Sequence, residues 1–262
     1  RPIANAQPIF TDLSAELSNP SLSPLKSSLF KPDAYGPVIK QPKDLKNDIV
    51  AIDAGSGKEL WRKTGADTLG YEGASLGASG DRVVYATTKE LVCLDRATGK
   101  PLWRVPAPIV LKGPSGIAVS LVLSDRSAYL ADSAQLRAFH LADGNALWST
   151  PATVNHHKPP DVFVANGLVW AAAYDASVGK PAPELGLPRM GANGFDPETG
   201  KLVKELDQTV TGPMGHDRCY RNRITTKFYI NTATGGSDFL GLGSPAEFPN
   251  PWIRSTCGIG PL

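Results

Sequence analysis

Along most of this chain, short runs of alternating apolar and polar residues are separated by turns that contain glycine. Ile49-Val50-Ala51-Ile52 and Glu90-Leu91-Val92-Cys93-Leu94 read as half-buried β-strands, and each runs directly into such a turn. Residues 81–86, 125–131 and 166–172 each predict one more strand upstream of a turn. A period near 3.6 is nowhere sustained. The one helical expectation is a turn or two over residues 10–17, with Thr11 or Asp12 as its cap.

The turns themselves repeat. Ala51-Ile52-Asp53-Ala54-Gly55-Ser56-Gly57-Lys58-Glu59-Leu60-Trp61 is followed by Cys93-Leu94-Asp95-Arg96-Ala97-Thr98-Gly99-Lys100-Pro101-Leu102-Trp103, and then by Ala138-Phe139-His140-Leu141-Ala142-Asp143-Gly144-Asn145-Ala146-Leu147-Trp148. Gly57, Gly99 and Gly144 are 42 and 45 residues apart, the period of a four-stranded propeller blade. A fourth copy, Gly194-Phe195-Asp196-Pro197-Glu198-Thr199-Gly200, arrives 56 residues later with Lys204 in place of tryptophan, which predicts an insertion over residues 178–190. A degenerate fifth copy is read at Asn231-Thr232-Ala233-Thr234-Gly235, with Phe239 as its aromatic residue. In each turn the glycine supplies positive φ, and the aspartate with the following serine or threonine can bond the turn backbone.

The fold class that follows is all-β, a propeller of four-stranded blades, incomplete at about four to five blades. Residues 1–46, rich in proline and serine, read as a linker or irregular wrap. Residues 47–242 carry the blades, and residues 243–262 read as a truncated C-terminal loop. The 26 glycines and 23 prolines agree with many turns and few helices. Scattered charges and a net charge of only +2 provide no basic stripe for nucleic acid or an anionic membrane, and no apolar stretch is long enough to span a bilayer. The chain begins at Arg1 without an initiator methionine or export signal, and is expected to be a processed or partial polypeptide. An arc of four or five blades leaves two open edges, to be covered by missing blades or by a protein partner.

These units resemble the quinoprotein (PQQ-type) β-propeller repeat family, whose consensus is Ala-x-Asp-x-x-Thr-Gly-x-x-x-Trp; the resemblance covers roughly residues 48–206. It implies that Trp61, Trp103 and Trp148 dock neighbouring blades, with Gly57, Gly99, Gly144 and Gly200 as the turn residues. Departures at His140, where aspartate is usual, and at Lys204 are expected to rearrange the third and fourth blades locally. Catalytic members of the family add a vicinal cysteine pair, a calcium site and a catalytic aspartate. No adjacent cysteines occur here, so PQQ with calcium enters only under the alternative that this is part of a quinoprotein oxidoreductase or another multidomain enzyme. The leading expectation is a non-catalytic binding or scaffold module, periplasmic or extracellular, like the lipoprotein that assists outer-membrane barrel assembly.

Candidate chemistry concentrates in Gly215-His216-Asp217-Arg218-Cys219-Tyr220-Arg221-Asn222-Arg223. His216, Arg218, Arg221 and Arg223 could bind an anionic ligand, or the arginines could simply pair with neighbouring carboxylates. A lone His-x-x-Cys does not make a metal site. Cys93 reads as a core thiol, whereas Cys219 and Cys257 could form a disulfide in an exported protein, or either could pair elsewhere. His156 and His157 sit in an inter-blade loop. Asp161, Asp175, Asp196 and Glu198 show no pairing that would mark acid–base catalysis.

Overall fold

The computed structural model describes residues 47–110, 119–152, 160–175, 189–208, 221–232 and 236–250. The 1–46 segment with its expected helical turn, and His156 and His157, lie outside them.

Among the described residues, eighteen strands fall into antiparallel sheets that follow chain order. Blade I holds, among the described residues, β1 (Ile49–Ile52) and β2 (Glu59–Lys63). Blade II is β3 (Tyr71–Ser79), β4 (Arg82–Thr87), β5 (Glu90–Asp95) and β6 (Pro101–Pro106). Blade III is β7 (Ser120–Leu123), β8 (Ser127–Ala131), β9 (Gln135–His140) and β10 (Ala146–Pro151). Blade IV is β11 (Val162–Ala165), β12 (Leu168–Asp175), β13 (Arg189–Phe195) and β14 (Leu202–Asp207), and blade V is β15 (Arg223–Ile224), β16 (Phe228–Asn231), β17 (Asp238–Gly241) and β18 (Glu247–Phe248). The described residues thus form an incomplete β-propeller of four full blades and the outer two strands of another. Among the described residues the only helical element is the 3-10 turn Gly65–Thr68.

The first strands of successive full blades are neighbours, β3 against β7, β7 against β11 and β11 against β15, so they line the inner edge of the arc. Because side chains alternate along a strand, each sheet has two apolar faces, and each face belongs to a different junction. Val84, Ala86, Leu91 and Cys93 of blade II meet Ala128, Leu130 and Phe139 of blade III. The residues between them, Val83, Tyr85, Val92 and Leu94, face blade I and its Ile49. Tyr129, Ala131, Leu136 and Ala138 then meet Val169 and Phe195, while Trp170 and Ala192 meet Tyr229 and Leu240. The core is a series of sandwich layers between blades, which is why strands buried on both faces read as nearly continuous apolar runs.

The turn after β17 closes through Gly241 N donating to Ala246 O at 2.7 Å, as Asp95 N donates to Lys100 O at 2.8 Å in blade II. The fifth repeat turn is therefore residues 241–246, not 231–235, and blade V extends through β18, past Leu242. Sequence alone missed it because Gly241 replaces the aspartate and Pro245 the glycine. The third turn keeps its backbone despite His140: His140 N donates to Asn145 O at 2.8 Å, and Gly144 N to His140 O at 2.8 Å. The expected rearrangement there does not occur, since Asp143 stands where threonine usually does and accepts from Asn145 N at 3.0 Å, with His140 Nδ1 at 3.2 Å.

The two ends of the blades differ. The second-to-first-strand and third-to-fourth-strand connections of every full blade are short turns at one end, such as residues 80–81, 96–100 and 166–167. The longer connections, 107–119, 152–161, 176–188 and 208–222, leave and rejoin the described strands at the other end.

Candidate functional site

Two constellations of side chains stand out. The first joins blades near the short-turn end. Asp53 Oδ1 accepts from Ser56 N at 2.8 Å and Oγ at 2.7 Å, Asp95 Oδ1 from Thr98 N at 2.7 Å and Oγ1 at 2.6 Å, and Asp196 Oδ1 from both groups of Thr199 at 2.8 Å. In all three the hydroxyl's hydrogen bond is the main cause that holds the carboxyl below its usual pKa. The turn so fixed presents a backbone carbonyl and a bare glycine face to the preceding blade. Trp61 Nε1 donates to Arg96 O at 2.8 Å, Trp103 Nε1 to Leu141 O at 3.0 Å and Trp148 Nε1 to Pro197 O at 3.0 Å. The indole lies against the glycine: a Cβ at Gly99 would be 2.7 Å from Trp61 Cδ2, at Gly144 2.7 Å from Trp103 Cε3, and at Gly200 2.6 Å from Trp148 Cδ2. Glycine is needed there twice over, for contact and for φ of +68°, +77° and +69°.

The fourth junction uses different chemistry at the same place. Lys204 is opposite Gly194 just as Trp103 is opposite Cys93, and its Nζ donates to Leu242 O of blade V. Pro245 occupies the glycine position of that turn. Its ring carbon would stand where an indole packs, and the slender lysine preserves the polar half of the contact.

The second constellation lies at the end with long connections, between blades IV and V. Asp161, only 2% exposed, precedes β11 and accepts from Asn222 N at 2.7 Å and from Arg221 NH1 at 3.4 Å. Asn222 Oδ1 in turn accepts from Thr232 N at 3.0 Å and Oγ1 at 3.2 Å. Arg223 NH1 donates to Asn222 O at 3.0 Å. Burial is the main cause lowering the Arg223 pKa, with Asp161 opposing and Arg221 adding to the shift. Nearby, Gln208 Nε2 donates to Asp238 Oδ2 at 2.6 Å, and Asp238 Oδ1 accepts from Asn250 N at 2.6 Å. Buried polar groups at this density are tolerated because they satisfy one another.

Of the four residues read as a ligand set, Arg221 and Arg223 are brought together with Asp161; His216 and Arg218 lie outside the described residues, as do Cys219 and Cys257. The roles of Asp161 and Asn222 escaped the sequence, since their pairing spans two blades. Among the described residues no group of three His, Cys, Asp or Glu could hold a metal ion. The Cys93 thiol, buried between blades II and III, is pushed up to about 11 chiefly by burial and is a packing residue.

The family model described as outer membrane protein assembly factor BamB matches residues 45–221. Over 217 residues the chain is 30% identical to the quinohemoprotein alcohol dehydrogenase ADH IIB of Pseudomonas putida, an alignment covering 67% of this chain and 28% of that protein. In structure it is similar to BamB from Moraxella catarrhalis, with a TM-score of 0.53, 18% identity, and coverage of 79% of this chain and 59% of that one. Hsv2 of Kluyveromyces lactis shares the fold at a TM-score of 0.50 and 12% identity, covering 80% of this chain and 60% of its own. The chain therefore spans less than two thirds of the length of each of these relatives.

Proposed function

Because this chain belongs to the PQQ-repeat family described as outer membrane protein assembly factor BamB, we propose that it is a binding and scaffold propeller of an extracytoplasmic protein, holding a protein partner at the end of its long connections. The segregation of connections carries this reading. One end is consumed by turns whose hydrogen bonds lock neighbouring blades, so its sequence is constrained; the other is free to vary and to bind. Arg221 and Arg223, with His216 and Arg218 of the same stretch, supply recognition of an anionic group on the partner, such as a carboxylate. A periplasmic or extracellular location suits a Cys219–Cys257 disulfide, and no helix among the described residues is long and apolar enough to cross a membrane. The open sides of the arc are covered by a protein partner or by further blades.

The test places a photo-cross-linking residue at Lys89, between β4 and β5 at the long-connection end, and another at Ser56, in the first short turn. Cross-links in native cells to one defined protein from Lys89 and not from Ser56 support the reading; the reverse pattern overturns it. Arg221→Ala with Arg223→Ala should weaken that cross-link at least tenfold if two charge-assisted hydrogen bonds are lost.

The relationship to the Pseudomonas putida alcohol dehydrogenase favours a second reading, in which the chain is part of a quinoprotein oxidoreductase. Bound PQQ would supply two-electron oxidation of an alcohol. The described residues contain no group of three His, Cys, Asp or Glu that could hold a metal ion, and the sequence has no adjacent cysteines. Calcium-dependent retention of PQQ absorbance by the complete polypeptide would support this second reading over the first.

A further inference from the structure

Among the described residues three buried side chains hold an atom with no hydrogen-bond partner, and only one of them, Arg137 on β9, is charged. Arg137 is 8% exposed. It stands opposite Leu130 on β8 and Ser149 on β10, and Leu130 packs against blade II, so Arg137 occupies the blade II side of its sheet. Its one hydrogen bond among the described residues runs from NH2 to Asp132 Oδ2 at 2.9 Å, and Nε has no acceptor. Asp132 can take no more of the guanidinium. Fully buried, it also accepts from Ala134 N at 2.8 Å, Gln135 N at 3.0 Å and Val110 N at 3.2 Å, which fills the sites a carboxylate offers. A buried cation is thus left with most of its donors unmet, which is costly unless something pairs with them. Burial accordingly draws the Arg137 pKa down, with Asp132 opposing.

The other seams show what is missing. Trp103, Trp148 and Lys204 hold equivalent positions, so Ala107, Ala152 and Gln208, four residues on, share one place at successive seams; Arg137, Asn193 and Asp238 share the place facing it on the next blade. Between blades IV and V the two places are bridged, Gln208 Nε2 donating to Asp238 Oδ2 at 2.6 Å. Between blades III and IV, where the first place is alanine, Ala152 and Asn193 both line a cavity of about 40 Å³. Between blades II and III the first place is again alanine, and Ala107 has no side-chain acceptor to give Arg137.

We propose that the seam between blades II and III binds a carboxylate, which enters over the rim past the exposed Ser149, takes the place that the Gln208 side chain fills at the fourth seam, and accepts from Arg137 Nε. A carboxylate suits the site because it carries the charge a buried guanidinium lacks and two oxygens that match its planar donors, whereas a phosphate dianion would meet the charge of Asp132 as well. Its source is an acidic side chain of the protein partner or a small free acid; only the first source rests on the scaffold reading.

The test follows the Arg137 Nε–H resonance of the complete polypeptide, made with isotope-labelled arginine, as acetate is added against chloride of equal ionic strength. Acetate should move this resonance saturably and, at about ten times its dissociation constant, raise the melting temperature by about 3–5 °C; chloride should do neither. A resonance that acetate leaves in place, or that chloride moves equally, would mean that water or an unselected ion satisfies the guanidinium, and would overturn the proposal. Asp132→Asn with Arg137→Met removes both charges together and should abolish the thermal response. A response as large as that of the unaltered protein refutes the assignment to this seam; were the double variant not to fold, the Nε–H resonance decides alone, since it reports on Arg137 directly. The source is read from the Lys89 cross-link. Acetate that weakens it assigns the carboxylate to the partner, while an unchanged cross-link beside a saturable resonance assigns it to a free acid and leaves the site standing without the scaffold reading.

Discussion

Trp103 holds blade III by a ring contact and a hydrogen bond, and the two are separable. Trp103→Phe keeps most of the ring and loses the bond to Leu141 O, so it should cost about 1 kcal/mol in urea denaturation. Gly144→Ala drives a Cβ into both Trp103 and Val105 at an already strained φ and should cost more, about 2–4 kcal/mol. The turn aspartates make stability depend on acid. Asp53, Asp95 and Asp196 have depressed folded pKa values, so their stabilising contribution is full above the ordinary value of 3.8 and is lost as pH falls through the folded values. Urea midpoints should therefore fall below about pH 4, and Asp95→Asn should make that decline shallower. Cys93 offers a simpler check. Buried, with its pKa raised to about 11, it should react with a thiol reagent at neutral pH only after unfolding.

At the scale of the element, Lys204 and Pro245 form one exchange rather than two departures from the repeat. Lys204→Trp restores the repeat residue yet should destabilise the protein by about 1–3 kcal/mol, because the indole would meet the proline ring. Pro245→Gly should relieve that cost in the double variant, and a thermodynamic cycle on the four proteins measures the coupling. This pair also shows where the sequence could be read. Turns with Asp, Ser or Thr, and Gly at fixed offsets declare themselves, together with the strands on either side of them and the strand just upstream, whereas the inner strands β3, β7 and β11 carry no repeat signature. The fifth turn lacks both the aspartate and the glycine, so the sequence points instead to the Thr-Gly at residues 234–235, which falls between β16 and β17. Only the strand register, which sets Phe239 opposite Phe248, shows which residue takes the aromatic place in blade V. The polar cluster was half legible. Arg221 and Arg223 stood out as a run of charge, but Asp161 lies about sixty residues away, and only the meeting of β11 with β15 makes it their partner.

For the whole molecule, the seam between blades IV and V is fastened at both ends, by Lys204 near the rim and by Asp161 at the inner edge. Asp161→Ala would strand the buried Asn222 N–H and release Arg221, a loss of about 2–3 kcal/mol. Since that loss falls on one seam, amide exchange should accelerate at Tyr229 and Leu240 in blade V while Tyr129 and Leu130 in blade III stay protected. Uniform acceleration would mean that the arc opens as one unit. The placement of the fastenings has a further consequence. Repeat spacing jumps from 45 residues to 56 and returns to 45 between the fourth turn and the fifth, yet the indole of Trp148 meets Pro197 at the same 3.0 Å that Trp103 keeps from Leu141. Lengthening a connection at the far end does not reach the lock, so natural variation or a protein engineer can graft segments there without disturbing the assembly of blades. The same independence makes a whole blade, exchanged at its short turns, a unit that recombination can copy or transplant intact.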